Sequence, residues 1–213
     1  MKPITFNYQD YEKALERIRK LEEKCRKLLE ENTNLKLQTR IHTDGRLIIV
    51  DSREKPKAIT RILDYFDRHG IEHVTSKMLF GDYMDYNRPW LVIDRKQNIA
   101  ELAKNCTIEH ERFRNELELA KKTCARLVIL VEENRYRDRE EWVPVHNITD
   151  LLRWSSPHTK VRGEQVYRIL ASWRAKYPIA VVFCDKRSTG RMITKILYEG
   201  EIEALEGKTN GKR

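Results

Sequence analysis

The sequence predicts an α/β/α sandwich with a mixed central sheet, preceded by a separate N-terminal helix. Three observations carry this. Short, wholly apolar runs at residues 47–50, 127–131 and 179–183 have the length and continuity of strands buried on both faces. Segments with apolar residues at helical spacing alternate with these runs, which puts helices on both sides of one sheet. Residues 1–40 read differently, as one long seven-residue repeat, and residues 201–213 end in a basic tail, so the compact domain is expected over residues 41–200.

From Tyr11 to Thr39 there is no Pro or Gly, and two series recur at seven: Tyr11, Ile18, Cys25, Asn32, Thr39 and Ala14, Leu21, Leu28, Leu35. Taken as a and d positions, they place Arg17 and Glu31 at g, opposite Glu22 and Lys36 at e of a parallel partner, and both pairs attract. A coiled coil and a homodimer are expected. The alternative is an amphipathic helix packed on its own domain, since Leu15 and Leu29 at e widen the apolar stripe.

After the turn-forming His42-Thr43-Asp44-Gly45, the run 47–50 reads as a buried strand ending in Asp51. Pro56 suits a helix start, Ile59, Ile62, Leu63 and Phe66 form a helical stripe, and Gly70 is a C-terminal stop. Strands follow at 72–79, 83–86 and 90–95, then helix over 99–122 with a break near Asn105. The strand at 127–131 leads into a polar stretch, 132–141, and two helices at 148–154 and 164–176. The last strand is 179–183, and a closing helix covers 189–198.

The 213 residues are 40% hydrophobic and 35% charged, which excludes a membrane protein and a wholly disordered chain. The formal charge of +9 favours a polyanionic partner, because each phosphate met by Lys or Arg releases condensed counterions. Cys25, Cys106, Cys124 and Cys184 form no Cys-x-x-Cys pair and no signal peptide precedes them, so a reduced, cytoplasmic protein is expected.

Asp94 and Lys96 lie two apart on a strand entered through Leu91, Val92 and Ile93, so both side chains project from one face. Phosphodiester hydrolysis needs a divalent ion to polarise phosphate and acidify a bound water, and it gains from a cation that orients the water or offsets developing charge. Asp94 suits the first task and Lys96 the second; alone, the pair is a weak signal and reads more readily as a solvated ion pair. Gly81-Asp82-Tyr83 lies twelve residues upstream, and a hairpin would set Asp82 beside Asp94. Asp51-Ser52-Arg53-Glu54 adds a further acidic cluster at a strand end, where α/β sheets commonly place sites.

Two acids and a lysine on adjacent strands is the arrangement of the restriction-endonuclease-like superfamily. The ordered series Asp-x-Arg-Glu, Gly-Asp-Tyr, Val-Ile-Asp-Arg-Lys, a helix and the strand Leu127-Val128-Ile129-Leu130-Val131-Glu132 resembles the XPF/Hef nuclease domain, over about residues 47–132. The family pattern is Gly-Asp, a spacer, then Glu-Arg-Lys-x-x-x-Asp. The resemblance implies that Asp82 and Asp94 hold Mg²⁺ or Mn²⁺, that Lys96 is the catalytic lysine, and that Asp51 and Glu54 complete the acidic site. It gives Arg53 and Arg95 the task of organising carboxylates or phosphate. Asp94 stands where the family has Glu, and Ala100 where it has its final Asp, with Glu101 one residue later as a substitute.

His110-Glu111-Arg112-Phe113 falls where the family has a Gly-Arg-aromatic element, making Arg112 a candidate phosphate contact, against a helix-surface ion pair with Glu109 or Glu116. Lys186-Arg187-Ser188-Thr189-Gly190 opens a helix after a buried strand, so its free N–H groups and two cations are candidates to hold a phosphate, against a plain Ser188 or Thr189 N-cap. Trp154 with Lys160 and Arg162 is a candidate for stacking on an unpaired base, against a core role for Trp154.

The resemblance implies a DNA endonuclease preferring branched or flap DNA in repair or recombination. Without the helix-hairpin-helix domain that many relatives carry, it looks like the compact members found in bacteria and their phages. The competing expectations are a catalytically idle DNA-binding or scaffold subunit and a sequence-reading restriction-type nuclease.

Overall fold

The computed structural model describes residues 46–156, 160–200 and 202, together with scattered positions between 12 and 27. The chain divides into two compact units, Met1–Gly45 and Arg46–Arg213.

In the first unit the described positions are helical, and ion pairs between residues one turn apart join Lys20 to Glu16 at 3.5 Å and Lys27 to Glu23 at 3.7 Å. Leu21, one of the d positions, is exposed. The other leucines and Asn32 of the heptad lie outside the described residues, as does the basic tail.

The second unit is built in the order β1 (Leu47–Asp51), α1 (Pro56–Arg68), β2 (Glu72–Ser76), β3 (Tyr83–Asp85), β4 (Arg88–Lys96), α2 (Ile99–Cys106), α3 (His110–Lys122), β5 (Arg126–Val131), β6 (Arg135–Asp138), β7 (Glu141–Pro144), a 3-10 turn (Ile148–Arg153), α4 (Gly163–Lys176), β8 (Ile179–Phe183), a second 3-10 turn (Lys186–Ser188) and α5 (Thr189–Glu199). Six strands form one mixed sheet in the order β2-β1-β3-β4-β5-β8. β1 pairs parallel with β2 and antiparallel with β3; β3 and β4 form an antiparallel hairpin; β4, β5 and β8 run parallel. The C-terminal ends of β1, β4, β5 and β8 therefore share one edge, and the start of β3 meets them there.

Period-two alternation divides the strands between two cores. Ile49, Val92, Leu127, Ile129 and Val131 pack under α2, α3 and α4, while Ile48, Val50, Tyr83, Ile93, Val128 and Leu130 pack under α1 and α5. The predicted α/β/α sandwich is thus the observed fold. Pro56 begins α1, as expected of a residue with no N–H to satisfy there. The break expected near Asn105 falls at residues 107–109, and the strand expected to reach residue 79 ends at Ser76.

Two expectations are corrected. The polar stretch at 132–141 is largely a separate two-stranded hairpin, β6–β7, since alternation there buries only Tyr136 and half-buries Val143. The helix expected at 148–154 is a 3-10 turn, held by a capping box between Asn147 and Asp150.

Candidate active site

The acidic motifs converge at the shared edge because each sits at a strand end that the topology brings there. Gly81 makes the turn into β3 at φ +69°, and a Cβ at this position would lie 2.4 Å from Val92 Cγ1 and 3.0 Å from the Ile93 carbonyl. Only glycine allows that approach. The next residue, Asp82, then bridges two strands: its N–H donates to the Ile93 carbonyl at 2.7 Å, its carbonyl accepts from the Asp51 N–H at 2.8 Å, and its Oδ2 accepts from the Arg95 N–H at 2.6 Å.

Alternation on β4 sends neighbouring side chains to opposite layers. Asp94 and Lys96 face α3, where the Lys96 ammonium lies 4.9 Å from the centre of the Phe113 ring. Both are nearly buried, Asp94 at 4% exposure and Lys96 at 5%. Lys96 Nζ stands 2.8 Å from Asp94 Oδ2 and 3.0 Å from Oδ1; the well-directed hydrogen bond goes to Oδ1, and Oδ2 is left buried without a hydrogen-bond partner. Arg95 points the other way. Its guanidinium lies between Glu54, donating at 3.1 Å through Nε, and Glu132, at 2.9 Å through Nη1.

The electrostatics follow from this crowding. Burial, then the charges of Asp94 and Glu54, push Asp82 well above the usual carboxylate range. Burial pushes Lys96 down, but Asp94, by charge and hydrogen bond, outweighs it and the net direction is up, so Lys96 is an ammonium. Glu116 on α3 is raised by burial and by Asp94.

Asp51, Arg53, Glu54, Asp82, Asp94, Arg95, Lys96 and Arg112 line one cleft of about 250 Å³, together with Gly81, Glu101 and Glu116. The cleft thus gathers the acidic and basic residues expected on β1, β3, β4 and α3. Asp51 is committed to Arg53, accepting its N–H at 3.1 Å and its Nε–H at 2.7 Å. Arg112 makes both of the surface ion pairs foreseen for it, 2.8 Å to Glu109 and 2.8 Å to Glu116, while also lining the cleft. Glu101 accepts the Gln97 N–H at 2.8 Å, and Asn98 caps the same helix start, so that carboxylate is turned toward the beginning of α2.

Lys186 and Arg187 do not line the cleft. The Asp185 side chain accepts the Arg187 N–H at 2.7 Å and caps the 3-10 turn, while Ser188 stands at the N-cap of α5, as one expectation had it, without a side-chain capping hydrogen bond. Trp154 is buried in the core, which removes it as a stacking platform. Sequence reasoning assigned no role to Glu132, the buried second partner of Arg95, although an acid ending an apolar strand at the site's edge was a usable signal.

A hard divalent cation fits part of this set. Among the described residues no group of three His, Cys, Asp or Glu side chains is arranged to hold a metal ion. Asp82 and Asp94 remain, and Mg²⁺ is commonly held by one or two carboxylates with water and substrate phosphate completing its shell. Asp94 Oδ2, which faces Lys96 but accepts no hydrogen bond, and Asp82, whose ionisation burial and neighbouring acids oppose, are both oxygens that a cation would favour.

Two solved structures share the fold. XPF from Aeropyrum pernix is 17% identical with a TM-score of 0.52, the match covering 72% of this chain and 64% of that one. XPF from Aeropyrum pernix in complex with DNA is 14% identical with a TM-score of 0.50, covering 73% of this chain and 64% of that one. The matched region therefore spans less than two thirds of either relative. No curated protein matches. The ERCC4 domain model matches residues 50–196, most of the chain, and on that match the chain belongs to the ERCC4-domain family, a family of DNA nucleases.

Proposed function

We propose that this protein is a Mg²⁺- or Mn²⁺-dependent endonuclease that hydrolyses DNA phosphodiester bonds, with a preference for branched or flap DNA in repair or recombination. The observation that carries the reading is the meeting of Asp82, Asp94 and Lys96 in one cleft, with the Lys96 ammonium 2.8 Å from a buried carboxylate oxygen that accepts no hydrogen bond. Family membership and the DNA complex of an XPF relative support a DNA substrate.

Asp82 and Asp94 would hold the ion, which when bound polarises the phosphate and acidifies a water. Asp82 is fixed for this by the Arg95 N–H, so its carboxylate needs no reorganisation as charge develops. Lys96, kept cationic by Asp94, orients the attacking water or offsets charge on the phosphate oxygens. Arg53 and Arg112 stand at the cleft with much of their side chains exposed and suit phosphate contact, whereas Arg95 is buried and organises Glu54 and Glu132. We further propose a parallel coiled-coil homodimer through residues 1–40, and a cytoplasmic setting in a bacterial or phage-infected cell. Among the described residues no helix is long and apolar enough to cross a membrane.

The test is cleavage of labelled flap, fork, four-way and linear duplex DNA with Mg²⁺ or with EDTA, by wild type and Asp94→Asn. Cleavage in Mg²⁺ alone is expected, with turnover abolished and DNA binding nearly intact in the variant, because Asp94 serves the ion and not the phosphate. Asp94→Asn activity within about tenfold of wild type at saturating Mg²⁺, a loss of under about 1.4 kcal/mol, overturns the assignment. Equal rates on flap and linear DNA remove the structural preference and favour the sequence-reading alternative.

A further inference from the structure

The β6–β7 hairpin is a second sheet of its own, and an isolated two-stranded ribbon needs anchoring to persist. Its anchors are on one face. Tyr136 and Val143, a cross-strand pair, pack on the core, and the Tyr136 hydroxyl donates to the Asp150 carbonyl at 3.3 Å. The Val145 N–H closes the base on the Asn134 carbonyl at 2.7 Å.

The base is also tied to the active site. Glu132, just past β5, pairs with Arg95, and Glu133 accepts the N–H of Ile99 at 2.8 Å, the first residue of the helix that follows Lys96. The hairpin thus springs from the edge of the sheet that carries the acids.

Its free face has a different chemistry. Registers Arg135↔Pro144 and Arg137↔Trp142 put both arginines and the tryptophan on the side opposite Tyr136. Trp142 is 61% exposed, and the Arg135 guanidinium lies 5.1 Å over its ring. No ion pair joins Arg137 or Arg139 to a carboxylate among the described residues. The segment also holds Asp138, Glu140 and Glu141, but Asp138 and Glu141 pair on the anchored face, so alternation separates the signs of charge. An indole this exposed adds little to the core, and beside guanidinium groups joined to no carboxylate among the described residues it matches a base next to phosphate.

We propose that the free face of the β6–β7 hairpin, with Trp142 stacking on an unpaired base and Arg135 and Arg137 holding flanking phosphates, is the element by which this protein engages single-stranded DNA at a branch. This deepens the proposed function and rests on it for the choice of DNA.

Binding is measured with full-length protein in EDTA by fluorescence anisotropy, on a fork with unpaired arms and on a linear duplex of matching sequence. Trp142→Ala is expected to weaken fork binding about tenfold or more and to leave duplex binding within about twofold, and Trp142→Phe to restore most fork affinity. Arg135→Ala with Arg137→Ala should flatten the dependence of log Kd on log salt by about one for each phosphate no longer held. Unchanged fork binding in Trp142→Ala, or an equal loss on both DNAs, overturns the proposal. A wild type that binds neither DNA overturns it together with the proposed function, whereas absence of cleavage with intact, Trp142-dependent fork binding overturns the reaction and leaves the hairpin assignment standing.

Discussion

Two neighbouring positions on β4 behave oppositely although their residues look alike in sequence. Lys96 and Arg95 are both buried cations that line the cleft, yet Lys96 pairs with Asp94 on the α3 side while Arg95 holds Glu54 and Glu132 on the other. Lys96→Ala should therefore lower the cleavage rate on the order of 10²-fold or more, while Lys57→Ala, at the exposed start of α1, changes it little. Equal, small losses measured in single-turnover assays would return Lys96 to a structural ion pair. Asp82 permits a test that needs no substrate. Its folded-state pKa lies above the ordinary value of 3.8, so the folded state holds the proton more tightly than the unfolded chain. The unfolded chain then binds fewer protons, and metal-free stability falls as pH rises from 3.8 through the folded value. Asp82→Asn keeps an oxygen for the Arg95 N–H and removes that charge. Thermal melting in EDTA at neutral pH should show it more stable than wild type, with the gain vanishing below pH 3.8. A lower melting temperature at neutral pH would refute the burial argument. Asp82, Asp94 and Lys96 were legible as candidates in sequence because one motif opens β3 and the other closes β4. Glu132 carried the same signal, an acid closing an apolar run, but its pairing with Arg95 comes only from the fold.

Among the elements, the sheet was readable and its satellites were not. β1, β5 and β8 are apolar on both faces, and such runs allow few other structures. The β6–β7 hairpin hides because only two of its residues face the core, and its charged alternation resembles solvated loop. The turn at Ile148–Arg153 has helical spacing of apolar residues, and its length alone, too short to nucleate a stable α-helix, separates it from one. The β3–β4 hairpin was foreseen, but the reason for its glycine was not, because a steric exclusion has no sequence signature. Gly81→Ala must accept both a left-handed backbone and a methyl against Val92 and the Ile93 carbonyl. The expected destabilisation is roughly 2–4 kcal/mol, read by urea unfolding, with loss of activity as Asp82 shifts. An alanine variant of wild-type stability would show that the turn relaxes freely.

For the whole molecule, the open issue is assembly. The heptad places Leu21, Leu28 and Leu35 at d with Asn32 at a, a pattern suited to two parallel strands in which the asparagine pairs with its counterpart and fixes register. Leu21 is exposed in a single chain, as a seam residue awaiting a partner would be. The flanking Arg17–Glu22 and Glu31–Lys36 contacts would add only about 0.3–0.5 kcal/mol each, leaving the leucines to supply most of the affinity. Light scattering at micromolar concentration is expected to find a dimer that Leu28→Lys weakens without altering the active site. A monomeric wild type sinks the zipper, and an unaltered dimer in Leu28→Lys assigns the interface to residues 46–213.

The crowding of Asp82 against Asp94 and Glu54 also bears on how such a chain changes over generations. Asp82, one of the two carboxylates proposed to hold the ion, is held at a disadvantage by the fold, while the Glu54–Arg95–Glu132 bridge supports the neighbouring strand from the other layer. A duplicated gene released from selection for cleavage can lose Asp82 to asparagine and gain stability, with its hairpin and DNA-facing arginines untouched. If the cleft is the nuclease centre proposed above, loss of that acid is favoured by stability, and the return path requires a selective advantage large enough to oppose it.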